Sequence, residues 1–231
     1  MQSEGTILMT LNEAAECRHT VRKYTDKKLP ADIADKLTER LNRCNEKYGL
    51  SMKLITENTD ALGAAVKLIM SKGVRNYIVL AGKDLSDTDE KLGYCGADIM
   101  LFAQTLGLNS WWIGGTFSRS GVRKHVPESK AEKIIGVIAV GFGESQGVPH
   151  KSKSSEAVSS YDDTMPQWFA NGIRTALLAP TALNRQAFFI KGNGSDVTIT
   201  YNGSGTFAKT DLGIVKYHFE LGAEKENFRW I

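Results

Sequence analysis

Residues 93–117, GYCGADIMLFAQTLGLNSWWIGGTF, limit the fold more than any other part of the chain. Leu92, Cys95, Ile99, Phe102 and Leu106 share one helical stripe, and Met100, Leu101 and Ala103 fill its flanks. A helix that is apolar nearly all round is a buried one, so a domain has to be assembled about it. Gly107 marks its C-terminus, and Asn109–Ile113 follows as an extended run ending in Gly114 and Gly115. Paired glycines there suit a core helix and core strand joined by a turn. They also remove the Cβ that would keep a flat ligand off the backbone.

A chain of 231 residues, 42% hydrophobic and 24% charged, can bury a full core. Its 29 basic and 26 acidic residues leave a net charge of +3, too small a bias to indicate nucleic acid or an anionic membrane as partner. No apolar run reaches the ~20 residues of a membrane span, and the N-terminus lacks the basic and apolar regions of a signal peptide. Cys17, Cys44 and Cys95 make neither a metal spacing nor a disulfide framework, which predicts a cytoplasmic protein. The one compositional break, residues 143–160, is rich in Ser and Lys and reads as a crossover between two halves, about 1–145 and 160–231, of a single domain.

Along the chain, Thr10 is placed to cap a short helix ending at Cys17, and Arg18-His-Thr-Val-Arg22 follows. Positions 18 and 22 fall on one side of either a helix or a strand. Two guanidiniums are therefore presented together, matched to phosphate by their planar forks, although an isolated pair of this kind also suits a solvated surface. Pro30 opens a helix to about Tyr48; residues 52–56, 76–81 and 134–141 read as strands; residues 60–70, 118–125 and 127–133 read as helical. Lys151 and Lys153 lie in a basic loop just past the third strand. An amphipathic helix over 166–178 carries Trp168, Phe169, Ile173 and Leu177 on one stripe, ahead of Ala179-Pro-Thr-Ala-Leu-Asn-Arg-Gln186, strands at 187–192 and 197–201, and a second apolar-striped helix over 211–222.

The RHTVRKY opening, the GYCG helix and WWIGGTF together resemble the FMN-dependent nitroreductase family, and more narrowly its TM nitroreductase branch, in which two half-domains share one chain. The resemblance implies an α+β, nitroreductase-like fold: a mixed central β-sheet flanked by helices, with an internal pseudo-two-fold. It implies that Arg18 and Thr20 hold the FMN phosphate and ribityl chain, with His19 contributing through its backbone or to the phosphate, and that Arg22 faces the pyrimidine edge of the flavin. It places Trp112, Ile113, Gly114 and Gly115 against the ring, and Lys151 and Lys153 at the phosphate. The family's APSxxNxQPW loop is absent from its usual place after the first helix, where Asn42–Glu46 stand instead. It reappears at residues 179–186, with Thr181 for serine and Ala187 for proline, so that Pro180, Thr181, Asn184 and Gln186 are expected to wall the flavin.

Such a chain is expected to complete one flavin site by itself, as a monomer or a homodimer. It is expected to pass hydride from NAD(P)H through flavin N5 to a small nitroaromatic or quinone-like acceptor. Two alternatives accompany this reading: a flavin-binding module without turnover, and a dehalogenase or desaturase of the same fold. No catalytic triad, paired carboxylates or metal-ligand spacing is present in the sequence, so no catalytic side chain is singled out.

Overall fold

The computed structural model describes residues 9–126, 132–203 and 205–231. Helix α1 (Leu11–Cys17) begins with a capping box, the Thr10 hydroxyl accepting from the Glu13 amide while the Glu13 carboxylate accepts from Thr10. Then come α2 (Ala31–Tyr48), β1 (Lys53–Ile55), α3 (Ala64–Ile69), β2 (Tyr77–Gly82), α4 (Thr88–Thr105), β3 (Asn109–Ile113), α5 (Arg119–Arg123) and β4 (Lys133–Gly141). The second half adds β5 (Ser159–Tyr161), α6 (Gln167–Ala176), β6 (Phe188–Asn193), β7 (Asp196–Tyr201), α7 (Ala208–Ala223) and β8 (Arg229–Trp230). The α+β class holds. The expected central sheet is divided in two: an antiparallel sheet ordered β1-β2-β4-β3, and a sheet ordered β5-β6-β7-β8 whose outer pairs are parallel and whose central pair is antiparallel.

Local chemistry explains where elements stop. Gly107, at φ +76°, turns the chain out of α4. Of the helix expected over 60–70 only Ala64–Ile69 forms, because the Asn58 side chain accepts the Asp60 amide at 2.7 Å in a turn and Leu62 pairs instead with Phe117. The expected helix over 127–133 lies outside the described residues up to 131, and Lys133 already belongs to β4.

The halves meet where α4 lies along α7, and this contact is reciprocal. A Cβ on Gly93 would run into the Thr210 carbonyl oxygen of α7, and a Cβ on Gly213 would run into the Glu90 carbonyl oxygen of α4. Each helix thus spends a glycine to admit the other's backbone. Gly96 does the same for a side chain: the Trp112 indole occupies the space its Cβ would take. Trp112 and Tyr94 belong to two apolar clusters at once, one between α2 and the first sheet and the other among α1, α6, α7 and the second sheet. Among the described residues no helix is long and apolar enough to cross a membrane.

Candidate functional site

The segment after α1 runs beside β3. Thr20 bridges Ser110 in parallel, and the Val21 amide donates to the Ser110 carbonyl at 3.1 Å. This places Arg18, His19, Thr20 and Arg22 along one wall of a cavity of about 840 Å³, within the range of cofactor sites. The end of β3 forms its floor with Trp112, Ile113, Gly114 and Gly115, and Pro180, Thr181 and Asn184 form the opposite wall. Two distant pieces of the chain therefore face each other across one space.

Arg18 is the outlier on that wall. It is only 4% exposed, and among the described residues its buried Nε has no hydrogen-bond partner and it makes no ion pair. Burial pulls its pKa down to about 10, with the Tyr24 hydroxyl pulling weakly the other way. A buried cation without a counter-charge is costly, so this position calls for an anion. The Arg22 guanidinium lies 5.4 Å from the centre of the Trp111 ring, a cation–π contact that keeps it at the cavity edge. Burial lowers the His19 pKa, and the nearby Arg18 and His150 lower it further, against a backbone hydrogen bond at Arg18 that raises it.

The 179–186 loop is held by a carboxylate that the sequence reading missed. Both oxygens of Asp211, in the first turn of α7, accept the Ala182 amide at 3.0 Å, and the Tyr201 hydroxyl donates to Asp211 at 2.5 Å. Burial raises the Asp211 pKa against these two hydrogen bonds. Leu183, Asn184 and Gln186 take positive φ values of 53°, 54° and 45°. Such geometry costs a non-glycine residue ~1–3 kcal/mol and persists only where the surroundings enforce it.

Lys151, Lys153 and Gln186 do not line the cavity; they fasten the loop. Gln186 is buried, its Oε1 accepts the Lys153 amide at 2.7 Å, and Lys153 Nζ donates to the Gln186 carbonyl at 2.8 Å. Asn184 Nδ2 donates to the Lys151 carbonyl at 2.7 Å, leaving the Lys151 ammonium outside. The titratable side chain that the crossover brings to the cavity is His150, whose Nε2 lies 2.9 Å from the Leu177 carbonyl.

The space directly over Gly114 also differs from expectation. The Phe207 ring stands there, its Cε1 only 2.6 Å from where a Gly114 Cβ would be, while over Gly115 its nearest atom is 3.9 Å away. Behind Phe207 a second cavity of about 390 Å³ shares Gly114, Gly115 and Phe207 with the first, so this ring is the partition between them. Nothing local in the sequence marks Phe207. Asp211 did leave a signal, as a carboxylate on a helix whose neighbours Ile214, Val215 and Tyr217 are buried.

Further along α7, His218 is fully buried beneath this wall. Its Nδ1 lies 2.8 Å from the Ile214 carbonyl, so Nδ1 carries the proton, and among the described residues its Nε2 has no partner. Burial, helped to a smaller degree by the nearby Arg18 and His150, lowers its pKa to about 4. The folded state therefore refuses a proton that the unfolded chain accepts near pH ~6.5, and stability is lost as pH falls from there towards the folded value. Urea titrations are expected to show a loss of roughly 3 kcal/mol between pH 7 and pH 4 from this group. His218→Gln should remove most of that slope, and an unchanged slope would assign it to other groups.

The sequence profile of the family described as "Putative TM nitroreductase" matches residues 10–223. No sequence among curated proteins matches the chain significantly. Among solved structures, the chain is similar to a "putative nitroreductase" from Thermotoga maritima, at 22% identity and TM-score 0.66, over 98% of this chain and 90% of that one. It is also similar to a protein from Desulfovibrio desulfuricans described as a "putative nitroreductase in complex with FMN", at 15% identity and TM-score 0.52, over 68% of this chain and 98% of that one. At these identities the structural likenesses speak for the fold.

Proposed function

Because the chain belongs to the TM nitroreductase family, we propose that it is an FMN-dependent oxidoreductase that takes hydride from NAD(P)H and reduces nitroaromatic or quinone-like acceptors. The observation that carries this reading is the buried, unpartnered Arg18 guanidinium on the wall of a cavity large enough for a flavin mononucleotide. FMN, when bound, supplies a ring that accepts two electrons from a nicotinamide and gives them to the acceptor.

The chain's own residues bind and orient. Arg18 supplies the counter-charge for the phosphate, with Thr20 beside it. Arg22, held at the cavity edge by Trp111, would supply positive charge beside the flavin ring. Gly114 and Gly115 would offer their backbone to the ring, and Pro180, Thr181 and Asn184 would close the far side, held in place by Asp211, Gln186 and Lys153. A ring seated over Gly114 requires Phe207 to leave its present position, so Phe207→Ala is expected to speed FMN association about three- to tenfold, read by stopped-flow quenching of flavin fluorescence. An unchanged rate would mean that Phe207 does not obstruct entry.

That both halves contribute to the same cavity supports a site completed within one chain, as a monomer or a homodimer. The three free cysteines suit a reducing, cytoplasmic setting. The test is anaerobic: reconstituted yellow protein should bleach with NADH or NADPH and regain its colour when a nitroarene or quinone is added. Flavin that stays oxidised under both nucleotides would overturn the reductase reading and leave a flavin-binding module.

A further inference from the structure

Three exposed apolar side chains line the large cavity: Met70 at 44%, Val148 at 78% and Leu183 at 85% exposure. They come from three separate segments, the end of α3, the crossover and the 179–186 loop. Single exposed apolar residues are ordinary on a protein surface. Three that come from distant segments to line one ligand cavity give its exposed margin an apolar share.

Leu183 is the member whose position is enforced. Its backbone is left-handed, at φ 53° and ψ 22°, where a leucine is disfavoured far more than a glycine or an asparagine. Its neighbours impose this: Asp211 clamps the Ala182 backbone amide on one side, and the Lys151 carbonyl accepts from the Asn184 side chain on the other. The side chain so placed buries almost nothing, so the strain is not repaid by packing in the fold. Strain that projects an apolar group over a cavity points to a ligand that covers it.

We propose that Met70, Val148 and Leu183 form the acceptor subsite, and that it selects flat, uncharged, lipophilic acceptors, with Leu183 as the chief specificity determinant. This deepens the oxidoreductase reading and rests on it. An aromatic acceptor with apolar substituents covers the three side chains as its reducible end enters the cavity. A small polar acceptor enters without touching them.

Leu183→Asn keeps the left-handed backbone, removes the apolar surface and relieves strain, and Met70→Ser removes a second part of the margin without relying on that loop. In FMN-loaded protein the ratio of kcat/KM for an alkyl-substituted naphthoquinone to that for benzoquinone should fall about five- to tenfold in either variant, through KM. Quenching of tryptophan fluorescence by the naphthoquinone, which needs no turnover, should weaken by a similar factor, and the melting temperature of Leu183→Asn should rise. A higher melting temperature with unchanged ratio and unchanged quenching would overturn the proposal, because Leu183 would then not meet the acceptor. Dissociation of a wild-type dimer on either substitution would also overturn it, by showing that a second copy of the chain covers the margin. Wild-type protein that fails to bleach with either nucleotide would end the reductase reading, while the quenching comparison would still decide the subsite.

Discussion

Replacing Arg18 by alanine is expected to weaken FMN binding by about a hundredfold or more while leaving riboflavin binding nearly unchanged. A charge-assisted hydrogen-bond pair made by a buried guanidinium contributes ~3 kcal/mol or more, and truncating one partner of such a pair exposes that whole amount. Here the guanidinium is almost fully buried with Nε unpartnered, so in the flavin-free chain it opposes folding. The alanine variant should therefore be at least as stable as the parent without FMN and less stable than the parent with it. Arg18→Lys keeps the charge and loses the fork, and should fall between the two. Fluorescence titrations with FMN and riboflavin read the ratio directly. An alanine variant that still prefers FMN over riboflavin as strongly as the parent would put the phosphate elsewhere.

The largest expected loss of stability is at Gly213. An alanine methyl there would meet the Glu90 carbonyl oxygen and lie 2.7 Å from the Tyr94 amide nitrogen, both backbone atoms of α4 that no rotamer change can move. The α4–α7 contact has to open, and overpacking of this kind costs ~3 kcal/mol or more. For a chain of this size that lowers the melting temperature by about 10 °C. Because α7 also carries Asp211 and His218, FMN affinity should fall along with stability. Gly63→Ala is the control: nothing lies within 4 Å of its Cβ position and its φ is ordinary, so it should shift stability by less than ~0.5 kcal/mol. Equal stability of the two variants would show that the helices are not in the close register described.

What the sequence made legible was what depends on near neighbours. Arg18 and Arg22 share a side at a spacing of four in either regular backbone, and both line the cavity. Periodicity located the buried helix later bounded at Thr88–Thr105, and the loop at 179–186 was found by its wording. What stayed hidden depends on distant partners. A Ser/Lys-rich stretch indicates an exposed crossover but not that Lys153 Nζ ends on the Gln186 carbonyl. Gly93 and Gly96 read as part of an apolar helix, whereas one admits the Thr210 carbonyl and the other the Trp112 indole. Apolar runs identify strands but not their neighbours, so the division into two sheets was not visible. Phe207 over Gly114 follows from how α7 enters the domain, which no local pattern encodes.

The central claim is that the arginine-bearing segment and the 179–186 loop of the same chain enclose a single flavin mononucleotide. Sedimentation velocity followed at the flavin absorbance, across a dilution series of reconstituted protein, measures this most directly. The account predicts one FMN per chain at every concentration, carried equally by single chains and by any dimer. Flavin that sediments only with dimers and is released as they dissociate would contradict it.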